Sequence, residues 1–313
     1  MKNHQSQQLF NSMTDIDARF IEEAQTKLCR KKSRPFVRWG ALAACLCLVV
    51  GGALLWNGRT KPPVDNGGAV TVSEGGVAIP PREIVAPDGT IETMMVAFFI
   101  YQGRCYEFYD FTGLSENLVG EYLGTVTGTI DEWSGQDEYV ELSGSVQGDF
   151  YSVNGYDPAF MLCMKRGEVI ELYICNNGIT LRDGSDLYED RLHLAEKYRS
   201  VTYESQDSWY NSKGELRPLD TDGNQALTDF INALNVAELI PRQEVPYDRD
   251  KDAEAVSVFD ACLYHLYFTM EDGVTAHLRL IEGGYVFFDG ILDVAAQIPS
   301  EVFEPLIQQL DAQ

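Results

Sequence analysis

Residues 39–58 (WGALAACLCLVVGGALLWNG) carry no charged side chain, and this run constrains the chain more than any other stretch. Twenty helical residues at ~1.5 Å rise cover ~30 Å, the hydrocarbon thickness of a bilayer. Trp39 and Trp56 stand at its two ends, where indoles prefer the membrane–water interface. A buried core helix would not need such flanks. Within the run, Leu42-Ala43-Ala44-Cys45 also matches a lipobox, the site at which a bacterial lipoprotein is cut and lipidated. A cleavable leader places its apolar stretch before the cut. Only six residues separate Arg38 from Cys45, and the apolar stretch continues beyond the cysteine through Leu46, Leu48, Val49, Val50, Leu54 and Leu55. The expectation is therefore a transmembrane helix over 39–58, uncleaved.

Charge gives the orientation. Arg30, Lys31, Lys32, Arg34 and Arg38 precede the run, and only Arg59 and Lys61 follow closely. The positive-inside rule puts the N-terminus in the cytoplasm and the rest outside the cell membrane. Residues 1–38 hold eight Lys/Arg and four Asp/Glu, so of the net −24 the remainder carries −28. Such an exterior is soluble and repels nucleic acid and anionic lipid.

Residues 59–90, rich in Pro and Gly and poor in aromatics, suggest an extended tether. The aromatics concentrate in residues 91–313, long enough to bury a full core. Three stretches there share one form: AFFIYQGRCYEFYDF, FMLCMKRGEVIELYI and LYFTMEDGVTAHLRL. Each is an apolar run, a turn with glycine (Gly103, Gly167, Gly273), then another apolar run, the pattern of a β-hairpin. Further strands are expected at Tyr122–Ile130, Tyr139–Val146, Asp149–Val153 and Tyr285–Phe288. Leu227, Phe230, Ile231 and Leu234 recur at helical spacing, as do Val302, Phe303, Leu306, Ile307 and Leu310. The fold class is α+β: a single transmembrane helix, then a mostly antiparallel β-rich region (91–215), then a C-terminal α+β portion (216–313).

The four cysteines after the apolar run, Cys105, Cys163, Cys175 and Cys262, sit in apolar strand contexts and read as buried free thiols. With Arg166-Gly167 as the turn, Cys163 opposes Ile170 and Cys175 lies ~17 Å further along, beyond disulfide reach.

Metal-binding candidates are weak. In the last hairpin a three-residue loop, Glu271-Asp272-Gly273, makes one face wholly apolar: Met270 opposes Val274, Phe268 opposes Ala276, Leu266 opposes Leu278 and Tyr264 opposes Leu280. His265 and His277 then share the other face as diagonal neighbours, ~7 Å apart or less. Arg279 stands across from His265, and no third ligand is evident, so a polar, partly solvated sheet face is expected. Asp248, Asp250, Asp252 and Glu254 alternate as in a calcium loop, but Ala253 and Phe259 occupy the positions that need glycine and glutamate. The segment reads as a solvated acidic loop. Asp220, Asp222 and Asn224 read as turn and cap chemistry. Trp133, Trp209 and Tyr210 suit stacking on sugars, or simple packing. No G-x-S-x-G, P-loop, H-E-x-x-H or C-x-x-C occurs, so neither a catalytic residue nor a cofactor is expected.

In the cytoplasmic segment, TDIDARFIEEAQTKL places Ile16, Phe20, Ala24 and Leu28 on one helical face, with Thr14 as cap. That face suits docking on a cytosolic regulatory protein. QLFNSMTDIDARFIEEA, the basic cluster and RWGALAACLCLVVGG together resemble the N-terminus of a large set of poorly characterised single-pass membrane proteins of Gram-positive anaerobes. The likeness covers about the first 55 residues. In that set a similar start is joined to varied exterior domains, and some members are suspected anti-sigma or regulatory proteins. The resemblance implies topology more than activity. The chain departs from the zinc-binding anti-sigma pattern, since His4 and Cys29 stand alone, so any partner binding would not use zinc. The expected function is a bitopic membrane protein that binds or senses outside and signals inside. A membrane-tethered extracytoplasmic hydrolase and an envelope anchoring protein are the alternatives, and the exterior ligand is left open.

Overall fold

The computed structural model describes residues 69–82, 97–113, 117–128, 141–246 and 257–312. These begin with a hairpin of β1 (Thr71–Ser73) and β2 (Gly76–Ile79). The expected tether over 59–90 is corrected for residues 69–82. Val77 and Ile79 alternate with partly exposed neighbours, which is strand periodicity, and both are buried in the main core. β2 pairs with β9 (Ile179–Leu181), a hundred residues away, to make a three-stranded sheet.

The second sheet has six antiparallel strands: β3 (Phe98–Tyr101), β4 (Arg104–Gly113), β5 (Val119–Thr127), β6 (Gln147–Val153), β7 (Met161–Arg166) and β8 (Val169–Ile174). Their spatial order is β3-β4-β8-β7-β6-β5. Gln102 and Gly103, both at positive φ, close the first hairpin in two residues. In the β7–β8 hairpin the turn is Gly167-Glu168 rather than Arg166-Gly167, because Gly167 takes the positive φ at the first turn position. Cys163 therefore opposes Leu172. It lies in the main core, while Cys175 lies in a separate cluster with Phe99, Tyr106 and Phe150. All four of these cysteines are free and buried. Of the strand expected at Tyr139–Val146, the described residues 141–146 hold only a single bridge, Gly144 to Phe99.

Short helices α1 (Ser185–Tyr188) and α2 (Leu194–Lys197) lead to β10 (Tyr198–Ser205), α3 (Gln206–Tyr210) and β11 (Arg217–Leu219). Next come α4 (Gln225–Asn235), β12 (Glu238–Pro241), β13 (Cys262–Met270), β14 (Thr275–Ile281), β15 (Tyr285–Phe288), β16 (Ile291–Gln297) and α5 (Ser300–Asp311). Asn224 caps α4 by accepting the Leu227 N–H at 3.0 Å. The third sheet runs β11-β10-β13-β14-β15-β16-β12.

One face of this seven-stranded sheet (Leu266, Phe268, Leu278, Val286, Phe288) shares a core with Phe230 and Leu234 of α4, Phe303 and Leu306 of α5, and Met161 and Leu172 of the six-stranded sheet. The expected division near 215 is not a spatial boundary. β10 precedes it yet pairs with β13 after it, and Asp65–Gln313 clusters as one compact unit. The fold is β-rich α+β with antiparallel sheets.

No helix among the described residues is long and apolar enough to cross a membrane. Residues 39–58, the expected helix with Ile16, Phe20, Ala24 and Leu28, the expected acidic loop with Asp248, Asp250, Asp252 and Glu254, and Trp133 lie outside the described residues.

Candidate functional site

The β13–β14 hairpin closes through Glu271-Asp272-Gly273 as its apolar pattern requires. Met270 N–H donates to the Val274 carbonyl at 2.8 Å, and Gly273 takes φ +92. The register follows, with Phe268 opposite Ala276, Leu266 opposite Leu278 and Tyr264 opposite Leu280. Burying that face turns His265, Tyr267, His277 and Arg279 to the other side of the sheet.

That side is not the partly solvated surface expected. His265 is 0% exposed. The cover is α3, a single turn that begins where Ser205 accepts the Ser208 N–H at 3.2 Å. The Trp209 ring stacks on the His265 imidazole, with centroids 4.5 Å apart and planes at 15°. Ser208 Oγ donates to Glu204 Oε2 at 2.7 Å, and Tyr267 Oη donates to Glu204 Oε1 at 2.8 Å. Two hydroxyls thus hold a carboxylate that is 7% exposed. The Tyr267 ring in turn stacks on His277, centroids 4.5 Å apart.

Beneath α3 four side chains form a line of polar contacts, two hydrogen bonds and one ion-pair contact. Gln206 Oε1 lies 2.7 Å from His265 Nε2, His265 Nδ1 lies 2.8 Å from His277 Nε2, and His277 Nδ1 lies 3.3 Å from Asp289 Oδ2. Asp289 sits just past β15, where its N–H donates to the His277 carbonyl at 2.8 Å. Its other oxygen accepts from Arg279 Nε at 2.7 Å. The Arg279 guanidinium carbon stands 5.0 Å from the rings of both Trp209 and Phe259.

The electrostatics follow from this burial. Desolvation, then the nearby positive charges of His277 and Arg279, pulls His265 down to about 3, so it is neutral. Burial pushes the Asp289 carboxyl up, but its bonds to His277 and Arg279 outweigh that and leave it below the usual range. Burial raises the Asp110 carboxyl of β4, which faces both His277 and Asp289. Cys262 Sγ lies 3.5 Å from His265 Nε2. Burial pushes that thiol up to about 12, so this pair does not supply a thiolate nucleophile.

The two histidines are closer than the hairpin alone implies, but not in a zinc geometry. Two nitrogens sharing a tetrahedral zinc at ~2.0–2.1 Å stand roughly 3.3 Å apart. At 2.8 Å and aimed at each other, Nδ1 and Nε2 are spent on one hydrogen bond, and the remaining ring nitrogens face Gln206 and Asp289. Among the described residues no three His, Cys, Asp or Glu side chains converge as a metal group. A recess of about 180 Å³ beside Glu204 is lined by Tyr203, Ser205, Glu215, Arg217 and Tyr264.

Sequence reasoning located the hairpin face but missed Glu204, Gln206 and Asp289. A signal existed for the first two. Val201 and Tyr203 alternate with polar neighbours, and Ser205 followed by Asp207 and Ser208 has the composition of a helix start. Asp289-Gly290 reads only as a turn. Trp209 packs against His265, while Tyr210 beside it is 75% exposed. No family model, no curated protein and no solved structure matches the chain.

Proposed function

We propose that this chain is a bitopic membrane protein, with residues 1–38 in the cytoplasm, one span over 39–58, and an acidic extracytoplasmic domain that senses or binds rather than catalyses. The topology is supported by the uncharged run, its tryptophan flanks and the basic cluster before it. The inner segment, through Ile16, Phe20, Ala24 and Leu28, meets a cytosolic regulatory partner in a manner like an anti-sigma factor without zinc.

One observation carries the sensing reading over the hydrolase one. The side chains most suited to proton chemistry are engaged beneath α3 rather than converging on an open cleft: His265, His277 and Asp289 contact one another in line, and Glu204 is held by Ser208 and Tyr267. The recess next to Glu204, about 180 Å³, is smaller than the ~300 Å³ at which small-molecule pockets begin, and a recess of about 420 Å³ beside Val236 and Pro299 has Glu238 as the one ionisable side chain in its lining.

Protease added to intact cells tests the topology. The expected result is loss of the folded exterior and retention of a small membrane-bound N-terminal fragment. A mature chain beginning at a lipidated Cys45 overturns it. Residues 1–38 used as bait should capture one specific soluble regulator, and capture of none would leave the inner segment as an anchor alone.

A further inference from the structure

The protons along the Gln206–His265–His277–Asp289 line can be counted. A carbonyl oxygen accepts, so His265 Nε2 carries the proton that meets Gln206 Oε1 at 2.7 Å. A carboxylate oxygen accepts, so His277 Nδ1 carries the proton that meets Asp289 Oδ2 at 3.3 Å. The facing nitrogens, His265 Nδ1 and His277 Nε2, stand 2.8 Å apart and hold a third proton between them. Two neutral imidazoles carry two protons, so three make one imidazole and one imidazolium. The buried ring, His265, is the neutral one. His277 lies beside the carboxylates of Asp289 and Asp110.

This arrangement admits no fourth proton, because two N–H groups cannot face each other at that distance. It also cannot lose one unchanged. With two protons only, one of the three contacts has two acceptors and no donor. Contact is restored if the Gln206 amide turns over and donates through its NH₂ to His265 Nε2. His265 Nδ1 then donates to His277, and His277 Nδ1 still donates to Asp289. Gln206 is the first residue of α3, and Trp209 of the same turn rests on His265. The charged groups around the pair are Arg279 on β14, Asp289 after β15 and Asp110 on β4, while Glu204 on β10 acts through Tyr267 and Cys262 on β13 stays a neutral thiol.

We propose that the His265–His277 pair is a one-proton switch that sets how α3, with Gln206 and Trp209, seats on the seven-stranded sheet, so that the exterior domain responds to the acidity outside the membrane. The exposed side of α3, Trp209 and Tyr210, is the surface that changes. The inference builds on the sensing reading above. The titration belongs to the folded domain whichever way the chain is held at the membrane, so the two readings fail separately.

The test is 15N-histidine and tryptophan-indole NMR of the full chain in detergent micelles, across pH 4–9. The chain has four histidines. His4→Gln and His193→Gln assign the other two signals, leaving His265 and His277. The expected result is one shared one-proton step at the pair, with the Trp209 indole resonance moving at the same midpoint. Gln206→Glu keeps an acceptor at His265 Nε2 and cannot turn over into a donor, so it should raise that midpoint by about one pH unit. Two independent histidine steps, a Trp209 signal that ignores the step, or a midpoint unmoved by Gln206→Glu would each overturn the proposal. The wild-type measurement stands alone if the variant does not fold.

Discussion

Tyr109 Oη on β4 donates to the Thr275 carbonyl on β14 at 2.7 Å and accepts the His277 N–H at 3.3 Å. One phenol thereby joins the six-stranded sheet to the seven-stranded sheet at the strand that carries the histidine pair. Burial holds this hydroxyl well above the usual phenol range, so it stays a donor. Tyr109→Phe leaves a part-buried carbonyl and a part-buried N–H without this partner. Stability should fall by about 1–3 kcal/mol, read as a lower urea midpoint of unfolding. An unchanged midpoint would mean that the two sheets do not depend on this bridge.

The histidine buried beneath Trp209 makes the fold acid-sensitive. The folded-state pKa of His265 is depressed to about 3, below its unfolded value near 6.5. The unfolded state therefore binds more protons between those values, and stability is retained above about pH 6.5 and lost as pH falls. The limiting slope is about 1.4 kcal/mol per pH unit. Asp289, also depressed, adds loss only at lower pH, in the carboxylate range. Unfolding free energies at pH 7.5, 6.0 and 5.0 should fall steadily, and His265→Gln should start lower but fall less. Equal slopes in the two proteins would contradict the burial of a neutral imidazole.

Gly76 and Gly103 both take positive φ, but only one is hemmed in. A Cβ at Gly76 would overlap the Leu181 carbonyl and lie 2.6 Å from Arg182 Cα, whereas a Cβ at Gly103 meets nothing within 4 Å. Gly103→Ala should cost only about 1 kcal/mol of backbone strain. Gly76→Ala adds a clash with backbone that cannot rotate away, and should cost clearly more by thermal unfolding. Equal costs would place β2 away from β9.

Ile79 on β2 is 4% exposed in the main core. Ile79→Ala should destabilise the folded domain by about 2–4 kcal/mol, as other large-to-small core changes do. Deleting residues 69–82 should do the same or worse by opening the β9 edge. A neutral result from both changes, by calorimetry, would restore the segment to a tether.

Cys105, Cys163, Cys175 and Cys262 are free, buried and in separate surroundings. A water-soluble maleimide should leave all four unmodified in the folded protein and label all four in denaturant, as mapped by peptide mass. A two-dalton deficit joining any two of their peptides would contradict that arrangement.

The sequence alone carried those features that one face of one element decides. The register of Cys262–Met270 against Thr275–Ile281 was readable because a slip by one residue would turn Leu266, Phe268 and Leu278 out of the core. The apolar stripes of Gln225–Asn235 and Ser300–Asp311 were readable for the same reason, as was the cap at Asn224. What covers a face is a long-range matter, and no local pattern states it. His265 is buried because a turn some sixty residues earlier folds over it, and its chain ends on Asp289 because β15 returns beside β14. Val77 and Ile79 form a two-residue apolar signal too short to read until Leu181, about a hundred residues on, completes their sheet. Likewise the boundary near 215 looked natural from composition, but β10 pairs across it with β13, which buries Val201 and Tyr203 on the shared core. Periodicity set which side of each element faces inward, and only the tertiary packing decided which polar groups were shut in together.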